Sequence, residues 1–125
     1  MKQSSTPLLH HITPGVRLWL SLSNEGVFGR GKWLLLDAIH KRGSLQAAAN
    51  ALDISYRKAW GDLRKAEQAL GILLVERHRG GRTGGDSSLT PEGKRWWQEY
   101  ARFQEEVNTQ VEQAFAQWVK RMEQE

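Results

Sequence analysis

A mainly α-helical chain with a small β-hairpin wing, a winged helix-turn-helix followed by a long C-terminal helix, is the fold class that the sequence predicts. Three observations predict it. Two helical patterns, 45–52 and 55–70, are separated by a minimal turn. An aliphatic strand pattern beside them runs into a loop rich in glycine and arginine. Beyond that loop, apolar residues recur every three or four positions almost to the end of the chain.

The elements follow in order. Residues 1–15 carry no periodic pattern and read as a mobile tail, ahead of a domain over 16–95 and a helix over 96–125. In "VRLWLSLS" the apolar Val16, Leu18, Leu20 and Leu22 alternate with Arg17, Trp19, Ser21 and Ser23, the period of a half-buried strand. "NEGVFGRG" then reads as a glycine turn. A helix follows in "KWLLLDAIHKRG", with Leu35, Leu36 and Ile39 inward and Gly43 as its stop. Ser44 suits an N-cap for the short helix "LQAAANAL", whose alanines let another helix cross closely. After the turn "DI", Ser55 caps the next helix, which ends at Gly71. "ILLVERH" and a return strand ending at Leu89 flank the wing tip. Thr90, Pro91 and Glu92 are N-cap, first helical residue and dipole-matched acid of the last helix.

At 125 residues the chain has room for one modest core. The net charge of +4 is unevenly spread. Residues 29–97 hold 13 Lys+Arg against 7 Asp+Glu, a net +6, whereas 98–125 hold 3 against 6, a net −3. A basic body of this kind fits a polyanionic partner. With no cysteine there is no disulfide or thiolate metal site, and the expected setting is a reducing cytoplasm. The longest aliphatic run, "WLLL", is far too short for a bilayer, and the N-terminus shows no export signal, so no membrane is expected as a partner.

At about 100° per residue, Ala59, Leu63, Ala66 and Leu70 share the inner stripe of helix 55–70. Arg57, Gly61, Arg64 and Gln68 then lie opposite, with Lys58 and Lys65 on one flank and Tyr56 and Trp60 on another, one of these two aromatics a candidate for the core and one for contact with the DNA backbone. No acid falls on that outer face; Asp62 and Glu67 fall nearer the edges of the inner stripe. Such a face suits the major groove of double-stranded DNA, where Arg and Lys bond guanine acceptors or phosphates and Gln reads adenine. Gly61 costs the helix about 1 kcal/mol relative to Ala, and two reasons for it stay open, close packing inside the chain and close approach by the groove wall. Ser44 and Ser55 are caps first; a helix N-terminus also suits a phosphate. Wing residues 79–87, with Arg79, Arg82 and Thr83, fit the DNA backbone or minor groove.

Other chemistries fit poorly. "GGRTGGDS" aligns with a nucleotide P-loop only by putting Asp86 where a lysine is required, and no helix follows directly. His10 and His11 adjoin in the tail, and His40 and His78 belong to different elements, so no metal is expected. No His–Asp pair accompanies Ser44 or Ser55, and enzymatic function is not expected. The last helix carries Tyr100, Phe103, Val107, Val111, Phe115, Trp118 and Met122 in one stripe, more than a small body covers, so a homodimer interface is expected there.

"FGRGKWLLLDAI", "GSLQAAANALDISYRKAW", "LLVERHRGGRTGG" and "LTPEG" together resemble the DNA-binding domain of the ModE family of molybdate-responsive transcription regulators, whose winged helix is similar to that of LysR-type regulators. The resemblance covers roughly residues 16–100. It implies that Ser55, Tyr56, Arg57 and Lys58 begin a recognition helix, that Arg79 to Gly85 form the wing, and that a dimer binds its operator. C-terminal oxyanion-binding domains are common in that family, and this sequence ends after a helix. The expectation is therefore a regulator with no cofactor of its own, with a separate effector-sensing partner as one possible input. Two other readings stay open: a protein-interaction module using the last helix, and an oxyanion sensor using Arg17 or the wing glycines at a dimer interface.

Overall fold

The computed structural model describes residues 6–78 and 85–124. Its elements are helix α1 (Thr6–Leu9), strands β1 (Trp19–Leu22) and β2 (Glu25–Gly29), helices α2 (Arg30–Arg42), α3 (Leu45–Ala51) and α4 (Tyr56–Leu70), strands β3 (Val75–His78) and β4 (Asp86–Leu89), and helix α5 (Pro91–Glu123). Two compact units result: Leu18–Ala101, and Met1–Arg17 together with Arg102–Glu125.

The helix ends form where the local chemistry requires them. Gly43 and Gly71 adopt left-handed conformations (φ 82° and 72°), and their N–H groups donate to Ile39 and Glu67 carbonyls at 2.8 Å. Ser44 accepts from the Ala47 N–H and Ser55 from the Lys58 N–H, each at 3.0 Å. Ala48, Ala49 and Ala59 are wholly buried, which brings α3 and α4 close. Phe28, Leu36, Ile39 and Leu74 are the largest side chains sealed in the core.

The N-terminal hairpin departs from the expectation. "NEGVFGRG" is not only a turn: Ser23 and Asn24, both at positive φ, make the turn, and Glu25–Gly29 pairs antiparallel with β1. The register shifts between Leu20 and Ser21, so Val27 is passed over. It is β2 that supplies the core, through Val27 and Phe28, while Val16 and Leu22 are exposed rather than inward. The glycines serve the pairing: a Cβ at Gly29 would lie 3.1 Å from the Trp19 Cβ. Residues 6–9, expected to belong to a tail, form the turn of α1, with Leu9 buried.

Tyr100 also changes role. It was expected on the dimer stripe, but it is buried in the core beside Phe28 (ring centroids 5.2 Å apart), and its hydroxyl donates to the Leu18 carbonyl at 2.7 Å. Burial pushes its phenol above the ordinary value, with Arg30 pulling the other way. The hydroxyl therefore stays a donor at neutral pH.

One buried charge ties the helix-turn-helix to the wing. The Glu67 carboxylate, on the inner side of α4, accepts from the Leu74 N–H at 2.8 Å and the Val75 N–H at 3.3 Å. These are the N–H groups of the residue just before β3 and of its first residue. Glu67→Ala leaves two buried donors unanswered and is expected to cost about 2–3 kcal/mol. A denaturant midpoint unmoved by that change would show that water replaces the carboxylate.

Candidate nucleic-acid interface

The helix-turn-helix is α3, a short turn and α4. The turn closes because Asp53 takes a left-handed conformation (φ 58°), while the Ile54 N–H returns to the Ala49 carbonyl at 3.0 Å. With Ala59, Leu63, Ala66 and Glu67 buried, α4 has one committed face. Arg57, Lys58, Gly61, Arg64, Lys65 and Gln68 are exposed on the remainder, and Tyr56 at the helix start is 42% exposed. Ser55 is exposed beside it, whereas Ser44 at the start of α3 is half-buried.

Gly61 sits in open space: an added Cβ would meet no neighbouring atom within 4 Å. Among the described residues, no packing contact calls for glycine there. Its presence fits an approach from outside.

Side-chain placement adds two features to this face. Asp62, half-buried as an edge position implies, reaches Lys58 Nζ with its carboxylate at 3.1 Å, one helical turn away. The pair is exposed, so it is weak and an incoming phosphate can displace it. Trp60 is the flank aromatic that packs against the core, half-buried, while Tyr56 is exposed. The Arg64 guanidinium lies over its ring at 4.9 Å, and that of Arg77, from β3, lies over it at 5.0 Å. Arg77 was absent from the expected contact set. Its sequence signal was its position two residues before the basic wing.

The wing stem is a regular antiparallel pair, with Val75 opposite Leu89 and His78 opposite Asp86. The Ser87 N–H donates to the Gly43 carbonyl at 2.9 Å, which fixes β4 to the end of α2. The expected wing contacts Arg79, Arg82 and Thr83 lie outside the described residues. Leucine-rich chemistry gives way to a polar cap at the other end: Thr90 Oγ1 donates to the Leu73 carbonyl at 2.6 Å and accepts from the Gly93 N–H at 2.9 Å.

On α5, Phe103 and Met122 are exposed, and Val107, Val111, Phe115 and Trp118 are half-buried. Phe115 and Trp118 stack with centroids 5.6 Å apart. Among the described residues no group of His, Asp and Glu is placed to hold a metal, and no helix is long and apolar enough to cross a membrane.

Comparison with known proteins bears on this geometry directly. The family model of the bacterial regulatory helix-turn-helix proteins, lysR family, matches residues 32–94. The molybdenum-pterin-binding protein MopB of Rhodobacter capsulatus is 36% identical over 67 residues, 54% of this chain and 25% of that protein. The DNA-binding transcriptional dual regulator ModE of Escherichia coli is 39% identical over 66 residues, 53% of this chain and 25% of that protein. The chain thus spans about a quarter of the length of these relatives.

Among solved structures, the CbnR DBD–DNA complex superposes with a TM-score of 0.54 at 22% identity, covering 69% of this chain and 93% of that one. The BenM DBD complex with benA site 1 DNA gives 0.50 at 27% identity, covering 66% and 86%. The matched residues 32–94 take in α2 from its third residue, then α3, α4, both wing strands and the first turn of α5. The chain belongs to the lysR family of bacterial regulatory helix-turn-helix proteins.

Proposed function

We propose that the chain is a sequence-specific DNA-binding transcriptional regulator that acts as a homodimer in the cytoplasm. Helix α4 enters the major groove, and the wing over 79–87 lies on the backbone or in the minor groove. The observation that carries this reading is the outer face of α4. It offers Arg57, Arg64, Lys65 and Gln68 around a glycine with open space above it. Relatives named as DNA-binding regulators and structural neighbours described as DNA complexes support it.

The homodimer rests on the α5 stripe from Phe103 to Met122, which keeps large apolar side chains partly exposed. Two copies related by a two-fold axis would cover it. No enzymatic step and no cofactor enter this reading. A separate effector-sensing partner is one route by which a small effector would act on it.

Selection from a random DNA library by the chain, with no oxyanion added, tests the reading. It should enrich a two-fold symmetric site with half-sites about 10 base pairs apart or a multiple of that. The double variant Phe115→Glu with Trp118→Glu should sediment as a monomer and select only a half-site. A library without enrichment, or a wild-type chain that is monomeric at micromolar concentration, contradicts the proposal at the DNA or the dimer step respectively.

A further inference from the structure

Trp60 holds two guanidinium groups at once, and they come from different elements. Arg64 belongs to α4, and Arg77 belongs to the first strand of the wing. Their Cζ atoms lie 4.9 Å and 5.0 Å from the same ring centroid. The ion pairs among the described residues are Asp37 with Lys41 and Lys58 with Asp62, so neither arginine spends its charge on a neighbouring carboxylate.

Bringing two cations to one indole has a cost, because like charges repel. The negative face of the ring offsets part of it. A stacked guanidinium also keeps its planar edge of N–H donors free, since stacking uses only its face. The arrangement therefore presents two oriented donor forks, on one rigid ring, at the junction between recognition helix and wing. The half-buried Trp60 packs against the core, which holds the ring in place before any ligand arrives.

From this geometry we infer that Arg64 and Arg77, positioned by Trp60, form a clamp for a phosphate of the DNA backbone where the duplex passes from α4 to the wing. The inference rests on the proposed DNA-binding function and deepens it. It moves Arg64 from base reading to backbone gripping and adds Arg77 to the interface. Trp60 is a positioning residue: its ring is occupied by the guanidiniums rather than by DNA. A phosphate is the ligand because its two non-bridging oxygens accept several in-plane N–H bonds at once, and its negative charge offsets the repulsion between the two guanidiniums. Base edges in the groove carry no formal charge.

The test uses the full chain and a mixed-sequence duplex, so that it does not depend on the operator. Binding is titrated over a range of salt concentrations. Arg77→Ala should weaken binding roughly tenfold, the loss of one charge-assisted contact. It should also flatten the slope of log affinity against log salt by about 0.9. Arg77→Lys, which keeps the charge and loses the planar fork, should retain the slope but bind more weakly than the wild type. Trp60→Leu keeps both charges, so affinity should fall while the melt stays cooperative, and Trp60→Phe should restore most of it. If Trp60→Leu does not fold, the exposed Arg77 variants decide alone.

Two outcomes overturn the clamp. If Arg77→Ala leaves affinity and salt slope as in the wild type while Arg57→Ala weakens binding, the clamp is wrong and the DNA reading stands. If the wild-type chain shows no salt-dependent binding to the duplex, the DNA reading fails and takes the clamp with it.

Discussion

Gly93→Ala should unfold or nearly unfold this chain, although it adds a single methyl group to a helix. Gly93 lies in the first turn of α5, and a Cβ there would fall on the Leu74 carbonyl, with the carbonyl carbon at 2.8 Å. Both partners are backbone, so no side chain can rotate away. Relief requires α5 to move off the wing strand. That movement would break the bonds from the Thr90 N–H to the Leu74 carbonyl at 3.0 Å and from Thr90 Oγ1 to the Leu73 carbonyl. We expect a loss of about 4 kcal/mol or more, at the extreme of single substitutions. Since small domains are stable by only about 5–15 kcal/mol, much of the population would be unfolded on mild heating. Thermal melts of the two proteins measure it. A Gly93→Ala melt close to that of the wild type would mean that α5 docks more loosely than this contact requires.

The same substitution one helix earlier should have the opposite sign. Gly61→Ala meets open space, and alanine is the better helix former, so the chain should gain up to about 1 kcal/mol. Two helical glycines thus separate into one that the fold needs and one that it merely bears. Sequence alone could not make that distinction, because both stand inside helical patterns. Only the position of the Leu74 carbonyl, brought in by the wing strand, separates them.

The helices were legible because each carries its own punctuation. Ser44 and Ser55 start α3 and α4, Gly43 and Gly71 stop α2 and α4, and Thr90 with Pro91 starts α5. These are local signals, readable within four residues. The N-terminal hairpin was not legible for the opposite reason. Gly26 and Gly29 look like loop residues, yet both lie in β2, and at Gly29 a Cβ would crowd the Trp19 Cβ at 3.1 Å, a contact made by pairing rather than by sequence neighbours.

The candidate site divides in the same way. Arg57, Gly61, Arg64, Lys65 and Gln68 follow from helical periodicity, and all are exposed. Glu67, Arg77 and the double stack on Trp60 depend on where β3 lies against α4, which periodicity does not encode. Periodicity puts Glu67 near the edge of the inner stripe, but the N–H partners that let its carboxylate be buried are those of Leu74 and Val75.

The central claim is that α4 presents Arg57 to the bases of a DNA major groove. Arg57 is exposed one residue into α4, beside the Ser55 cap, and no ion pair among the described residues holds it. A base-reading arginine removed to alanine costs about 1–3 kcal/mol, and reversing its charge adds repulsion from the phosphates around the groove. Gly61→Ala should add to this picture by weakening specific binding while non-specific binding survives, because a methyl group obstructs the groove wall without changing charge.

The most direct measurement is a salt-controlled binding titration of Arg57→Glu against the site that the wild-type chain selects, with a thermal melt alongside. The account predicts a loss of affinity of about 100-fold or more. It also predicts an unchanged melt, since the side chain supports nothing inside the fold. Wild-type affinity for the selected site in a folded Arg57→Glu protein would contradict it, and would take the recognition face away from α4.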